Sequence, residues 1–355
     1  MMEGGWSGDL SGVLGRIGRV ATGGGVRVLR GGGRMALGLP EDGEAAEVVL
    51  GFYQPQRWKG RAFGVVARGL VRTGLYRRVL RGKGEECVPE VEWLREAAAA
   101  GRVGFMGCNP SHGLRCIVGG VDEKGVPFVG KLGFDEGREA IVREGEVLAR
   151  LAGRRPGVLK GISLERGEDW ALLRLPHLGN GSPARMEDAG VVALLEEWLG
   201  GERKALGAVA WAKELLDRAE VAGVEAEWCA AMRGREIRTA LVHGDFAVWN
   251  LRLGPEGPCA IDWEWAVEEG VGGIDLAYGL RQEALLVQRL GAAEAVRQML
   301  GQGGKGAMKV YLERCGWGGA LEDWLRLGLL DTHLNAKSDC REMLEVLGVR
   351  VRGDV

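Results

Sequence analysis

The pattern of apolar and polar positions changes three times along this chain. Residues 1–35 carry no sustained period and hold the runs Gly23-Gly24-Gly25 and Gly31-Gly32-Gly33, which predicts turn-dominated chain. Residues 47–53 (EVVLGFY) read as a strand. Val66, Leu70, Val71, Leu75 and Val79 then follow helical spacing. From residue 101 three short apolar runs, 103–106, 114–119 and 127–131, are separated by CNPSHG and VDEKG, which predicts a three-stranded antiparallel start. A helix is expected over 135–151, with Ala140, Ile141, Val147, Leu148 and Leu151 on its apolar face and Gly153 as its stop. Residues 170–175 (WALLRL) read as another strand, ended by Pro176.

After Gly181 the period becomes helical. Ser182-Pro183 supplies a cap and a first-turn proline, and helices are expected over 187–199, 204–221 and 225–235. Short strands at 239–242, 250–253 and 259–261 interrupt this, and residues 281–347 are helical again. The expected class is α+β. It has an N-terminal extension of unclear fold (1–95), a small antiparallel β lobe with one helix (96–176) and a larger, mostly helical part (177–355). Residues 173–180 form the joint.

Composition narrows the function classes. A length of 355 residues suits two lobes. The net charge of −2 supplies no global basic field, so no nucleic-acid partner is expected. The basic charge that exists is local: residues 54–83 hold nine Arg or Lys and no acid, the pattern of a basic helix that lies on an anionic surface or packs as a solvated face. Seven widely spaced cysteines with no C-x-x-C fit neither a disulfide framework nor a zinc knuckle, which points to a reducing cytoplasm. The N-terminus has no apolar run of signal-peptide length, and no stretch approaches the ~18 apolar residues of a membrane span. The 62 glycines devalue any glycine-rich match.

Candidate chemistry concentrates in residues 241–280, LVHGDFAVWNLRLGPEGPCAIDWEWAVEEGVGGIDLAYGL. Asp245, Asn250 and Asp262 sit at the ends of one loop and after the next strand, so they can converge on one point. An acid that orients a hydroxyl and two oxygen donors for Mg²⁺ are what phosphoryl transfer asks of a protein. Upstream, Lys131 ends a strand and Glu144 lies in the following helix, a spacing that lets a carboxylate hold an ammonium against phosphate oxygens; Glu146 is the competing partner. The turn at 107–114 (GCNPSHGL), with Ser111 as a donor, would cover the phosphates. Glu264, Glu268 and Glu269 form an acidic cluster that either attracts a cationic acceptor or is a solvated face.

The ordered set H-G-D-x4-N, then I-D-W-E, then D-L-A resembles the aminoglycoside phosphotransferase and choline kinase-like superfamily, relatives of the protein kinases. The resemblance spans roughly residues 100–335 and implies a protein-kinase-like bilobal fold. By match it makes Asp245 the catalytic Asp, Asn250 and Asp262 metal ligands, His243 a loop-stabilising residue and Asp275 a structural support. It makes Lys131 and Glu144 the ATP-positioning pair. Residues 173–177, including Leu175, become the hinge whose backbone meets adenine. The chain departs from the family pattern in lacking a G-x-G-x-x-G turn, in having Val248 where many relatives have Pro, and in approaching Asp275 through Gly272-Gly273-Ile274. What it implies is a kinase that uses ATP and Mg²⁺ to phosphorylate a hydroxyl of a sugar, amino sugar or amino alcohol. The alternative is a non-catalytic, kinase-like scaffold held at a membrane surface by the basic helix. A small-molecule acceptor is the expected partner.

Overall fold

The computed structural model describes residues 27–31, 35–40, 42–52, 58–76, 102–107, 114–179, 185–254, 256–335 and 337–351. The chain divides into two compact units. One comprises Met1–Ala152 and Leu159–Asn180, the other Gly153–Val158 and Gly181–Val355.

The first unit contains β1 (Arg27–Gly31), β2 (Met35–Leu39), α1 (Gly43–Phe52), α2 (Trp58–Arg72), β3 (Val103–Gly107), β4 (Leu114–Val121), β5 (Pro127–Phe134), α3 (Glu136–Leu151), β6 (Ser163–Arg166) and β7 (Trp170–Pro176). Among the described residues its seven strands form one sheet in the order β1-β2-β3-β4-β5-β7-β6, and every pairing is antiparallel. The expected strands at 103–106, 114–119, 127–131 and 170–175 are its centre. The hairpin β1–β2 extends it, since Leu37 and Gly38 of β2 face Met106 and Phe105 of β3. Gly38 makes this approach feasible: a Cβ there would lie 2.4 Å from the Phe105 ring.

Of residues 47–53, expected as a strand, 47–52 belong to α1, and residue 53 lies outside the described residues. The expectation rested on Val48, Val49 and Leu50, which favour strands by local propensity, but tertiary burial overrides a preference of that size. Helix start signals lie upstream of the window. Asp42 accepts the Ala45 N–H at 2.9 Å, as an N-cap does, and Ala45 and Ala46 follow. Ala45, Ala46, Val48, Val49 and Leu50 are all buried, so the helix is apolar around most of its girth and shows no clean period. Together with α2 it forms a satellite core of Leu39, Ala46, Val49, Leu50, Ala67, Val71 and Tyr76. The Tyr76 hydroxyl donates to the Pro40 carbonyl at 2.9 Å and ties the end of the α2 segment back to β2.

The second unit contains α4 (Ala189–Glu197), β8 (Leu199–Ala205), α5 (Ala210–Val221), α6 (Ala226–Arg233), β9 (Glu236–Val242), β10 (Leu251–Gly254), β11 (Gly257–Ala260), β12 (Val267–Val271), α7 (Ile274–Gln282), α8 (Ala292–Gly303), α9 (Gly306–Cys315), α10 (Leu321–Leu334) and α11 (Arg341–Val346). Helices dominate, as expected. A three-stranded sheet, β12-β9-β8, and the hairpin β10–β11 carry the motif block. β8 falls where the sequence suggested the end of one helix and the start of the next. Gly200 and Gly201 weaken the helix there, and pairing with β9 supplies the ladder instead.

Candidate active site

In the first unit, Lys131 lies on β5 and Glu144 on α3. The strand places Lys131 opposite Leu173 of β7, and the helix turns Glu144 inward, where it is 1 % exposed. The Lys131 ammonium donates to both Glu144 carboxylate oxygens, at 2.8 and 2.7 Å. Glu146 instead accepts from Arg166 at 2.9 Å on an exposed face, so Glu144 is the partner of Lys131. Leu175 lies in β7, one residue past Arg174, the last residue of that strand paired with β6. Ser111 and the turn around it lie outside the described residues.

In the second unit, β9 delivers the chain into the loop that begins at His243. Two backbone N–H groups at its start converge on one buried carboxylate. His243 N–H donates to Asp275 Oδ2 at 2.7 Å, and Gly244 N–H donates to Asp275 Oδ1 at 3.0 Å. Burial pushes Asp275 up to about 7, against the pull of those two donors and of Lys337. His243 is fully buried. Its Nε2 lies 2.9 Å from the Ile261 carbonyl, which can only accept, and its Nδ1 receives the Asp245 N–H at 3.2 Å. These partners require the neutral tautomer protonated on Nε2. The ring thereby links the backbone of Asp245 to the residue before Asp262. It rests against Trp263 and Phe246, with centroids at 4.6 and 6.0 Å, and Trp198 packs edge-on against both of these.

The loop closes on itself through Asn250. Its side-chain nitrogen donates to the Asp245 carbonyl and to Asp245 Oδ2, both at 2.9 Å, and its backbone carbonyl accepts from Ile261 N–H at 2.9 Å. The amide oxygen takes no part in these bonds. Asp262 has φ 75°, in the left-handed region, a conformation that costs a non-glycine residue about 1–3 kcal/mol and that accumulates at functional sites. Burial raises the Asp245 pKa. The Tyr278 hydroxyl, bonded to it, lowers it again; the Asp262 carboxylate raises it, and Asn250 and Lys337 lower it. Asp245, Asn250 and Asp262 are therefore gathered in one place. Gly244 has φ 83°, and a Cβ there would lie 2.5 Å from the Trp265 carbonyl oxygen. Gly244→Ala is expected to destabilise the protein by about 2 kcal/mol or more, read as a lowered thermal midpoint.

Two contributors were not visible in the motif. Tyr278 is three residues past Asp275 on α7 and bonds Asp245; its place inside IDLAYGL was the available signal. Lys337, 93 positions beyond Gly244, donates to the Gly244 carbonyl at 2.9 Å and to Asp331 Oδ2 at 3.1 Å. No local pattern announces it. Of the acidic cluster, Glu269 is paired with Lys204, and Glu264 accepts from Trp265 at 3.1 Å.

No family model matches the chain, and no curated protein matches it. Among solved structures it is similar to an aminoglycoside-3'-phosphotransferase of type VIII, at 20 % identity over 63 % of this chain and 90 % of that one, with a TM-score of 0.38. It is similar to a thermostable mutant of aminoglycoside phosphotransferase APH(4)-Ia in ternary complex with AMP-PNP and hygromycin B, at 11 % identity over 71 % of this chain and 94 % of that one, with a TM-score of 0.42. It is also similar to a macrolide 2'-phosphotransferase type I, at 16 % identity over 68 % of this chain and 88 % of that one, with a TM-score of 0.39. By their printed names, the first two of these solved structures are aminoglycoside phosphotransferases and the third is a macrolide phosphotransferase.

Proposed function

We propose that this chain is an ATP- and Mg²⁺-dependent kinase that transfers a γ-phosphoryl group to a hydroxyl of a small molecule, namely a sugar, amino sugar or amino alcohol. One observation carries the reading: Asn250 is locked to Asp245 through its nitrogen, beside Asp262, in a loop whose entrance is held by Asp275.

The donors fit the metal. The Asn250 amide oxygen and the Asp262 carboxylate are hard oxygen ligands, and Mg²⁺ takes one or two such protein donors with phosphate and water oxygens completing its shell. When bound, the cation would neutralise phosphate charge. Asp245 would accept the hydrogen bond of the acceptor hydroxyl, orient its oxygen for attack and take the proton as the new P–O bond forms and the bond to the ADP oxygen breaks. The Tyr278 hydroxyl and Asn250 nitrogen fix the direction of the Asp245 carboxylate. Lys131, held by Glu144, would meet the α- and β-phosphates, and the backbone near Leu175 the adenine.

The test is calorimetric titration with AMP-PNP, with and without Mg²⁺, followed by an ATP-consumption screen against pooled sugars, amino alcohols and aminoglycosides. Mg²⁺-dependent binding is expected; its absence at millimolar nucleotide would sink the reading. Asp245→Asn should keep nucleotide binding and lose turnover by about 10²–10⁴-fold.

A further inference from the structure

We propose that the outward face of α2 and the turn after it is a docking surface for an anionic lipid bilayer. This surface belongs to the first unit and is independent of phosphoryl transfer.

The inward face of this segment is accounted for. Ala67, Val71 and Tyr76 are buried in the satellite core, with Leu70 packed against it. Among the described residues the opposite face takes no part in that core, yet it is apolar at three places: Val65 is 67 % exposed, Val66 61 % and Leu75 45 %. Eleven large hydrophobic side chains are exposed among the described residues, and three of them fall within these eleven positions. Scattered exposed hydrophobics need no explanation, but two adjacent on α2 and a third in the turn after it fall together on one short segment.

The charge beside them decides the partner. Arg68 and Arg72 stand one turn apart on the same helix, and the whole stretch 54–83 is basic and acid-free within a chain of net charge −2. The Arg72 side chain is 69 % exposed; its bond to Glu47 at 3.2 Å is a surface pair that a phosphate can displace. A protein partner for such a face would have to be both apolar and acidic. A bilayer rich in anionic headgroups offers both at once: phosphates for the arginines, and the acyl boundary just beneath for the valines. Among the described residues no helix is long and apolar enough to cross a membrane, so the contact proposed is with its surface.

The test is flotation of the full chain with vesicles of neutral phospholipid alone and with about one third anionic phospholipid. The chain should float with the anionic vesicles at low salt, stay behind with neutral ones, and be released as ionic strength rises. Val65→Ser/Val66→Ser and Arg68→Gln/Arg72→Gln should each weaken partitioning about tenfold. None of the four side chains is in the core, so thermal midpoints should hold; should either pair unfold, Val65→Ser alone takes its place and the same loss is expected. Recovery of the chain in the vesicle-free fraction at low salt overturns the proposal, as does undiminished binding by the variants. Retention on immobilised RNA or DNA that anionic vesicles do not compete away overturns it in favour of a nucleic-acid surface.

Discussion

Lys131→Met is expected to destabilise the first unit by about 3–5 kcal/mol, because it removes the ammonium that neutralises a carboxylate whose side chain is 2 % exposed. For a unit of this size that corresponds to a fall in thermal midpoint of about 6–20 °C. On this ground alone the change says nothing of function. The informative variant is Lys131→Met/Glu144→Leu. Replacing a buried ion pair by apolar side chains of similar volume is often neutral or stabilising, so calorimetry should find most of the lost stability restored. Nucleotide binding should be lost in this variant too, since the ammonium proposed to meet the α- and β-phosphates is gone. A double variant that regains both stability and Mg²⁺-dependent AMP-PNP binding would show that Lys131 has a structural role only.

Asp275→Ala has the second largest expected effect. Both Asp275 oxygens accept backbone N–H groups from the loop entrance, so alanine orphans two buried donors. At about 1–3 kcal/mol each, the loss is about 2–6 kcal/mol. Asp275→Asn keeps one acceptor and turns an N–H₂ toward the other donor, so it should lie between alanine and the parent. The carboxyl also gives the protein a pH signature. Its folded value is about 7, raised by burial from an ordinary 3.8. Between those values the folded state holds a proton that the unfolded state has released. Stability should therefore rise as the pH falls from about 7 toward 4, and this contribution should be lost as the pH rises through 7. Urea unfolding of Asp275→Asn across that range should lack this part of the slope. An unchanged slope would mean that another group produces it.

Much of this architecture was legible where local chemistry and long-range packing agree. Strands 3, 4, 5 and 7 of the sheet alternate or run apolar between turn residues, and α3 shows a clean stripe, so each announces itself. The motif block is legible because Asp245, Asn250, Asp262 and Asp275 lie within thirty-one residues of one another in an order that few other chemistries need. Legibility failed where the decisive contact lies far off in sequence. Val49 and Leu50 look like strand residues until the core they share with Leu39 of β2 and Ala67 and Val71 of α2 buries them. β8 looks like helix until β9 pairs with it. Lys337 reaches Gly244 from the far side of α10, and nothing in its own neighbourhood marks it as part of the loop. Asp262 in the left-handed region is likewise invisible in sequence, since Asp enters that region more readily than most residues but only at a minority of positions.

The hairpin β1–β2 has a consequence for how this protein avoids self-association. A sheet ending at β3 would present a row of backbone N–H and C=O groups open to any extended chain, the template from which domain swapping and amyloid-like growth begin. With the hairpin in place β3 becomes an interior strand, and the two outermost strands, β1 and β6, are only five and four residues long. Short borders offer little length for an intruding strand to zip along. The residues of the hairpin thus act as a guard on solubility, a task in which sequence can drift widely so long as a brief strand survives there.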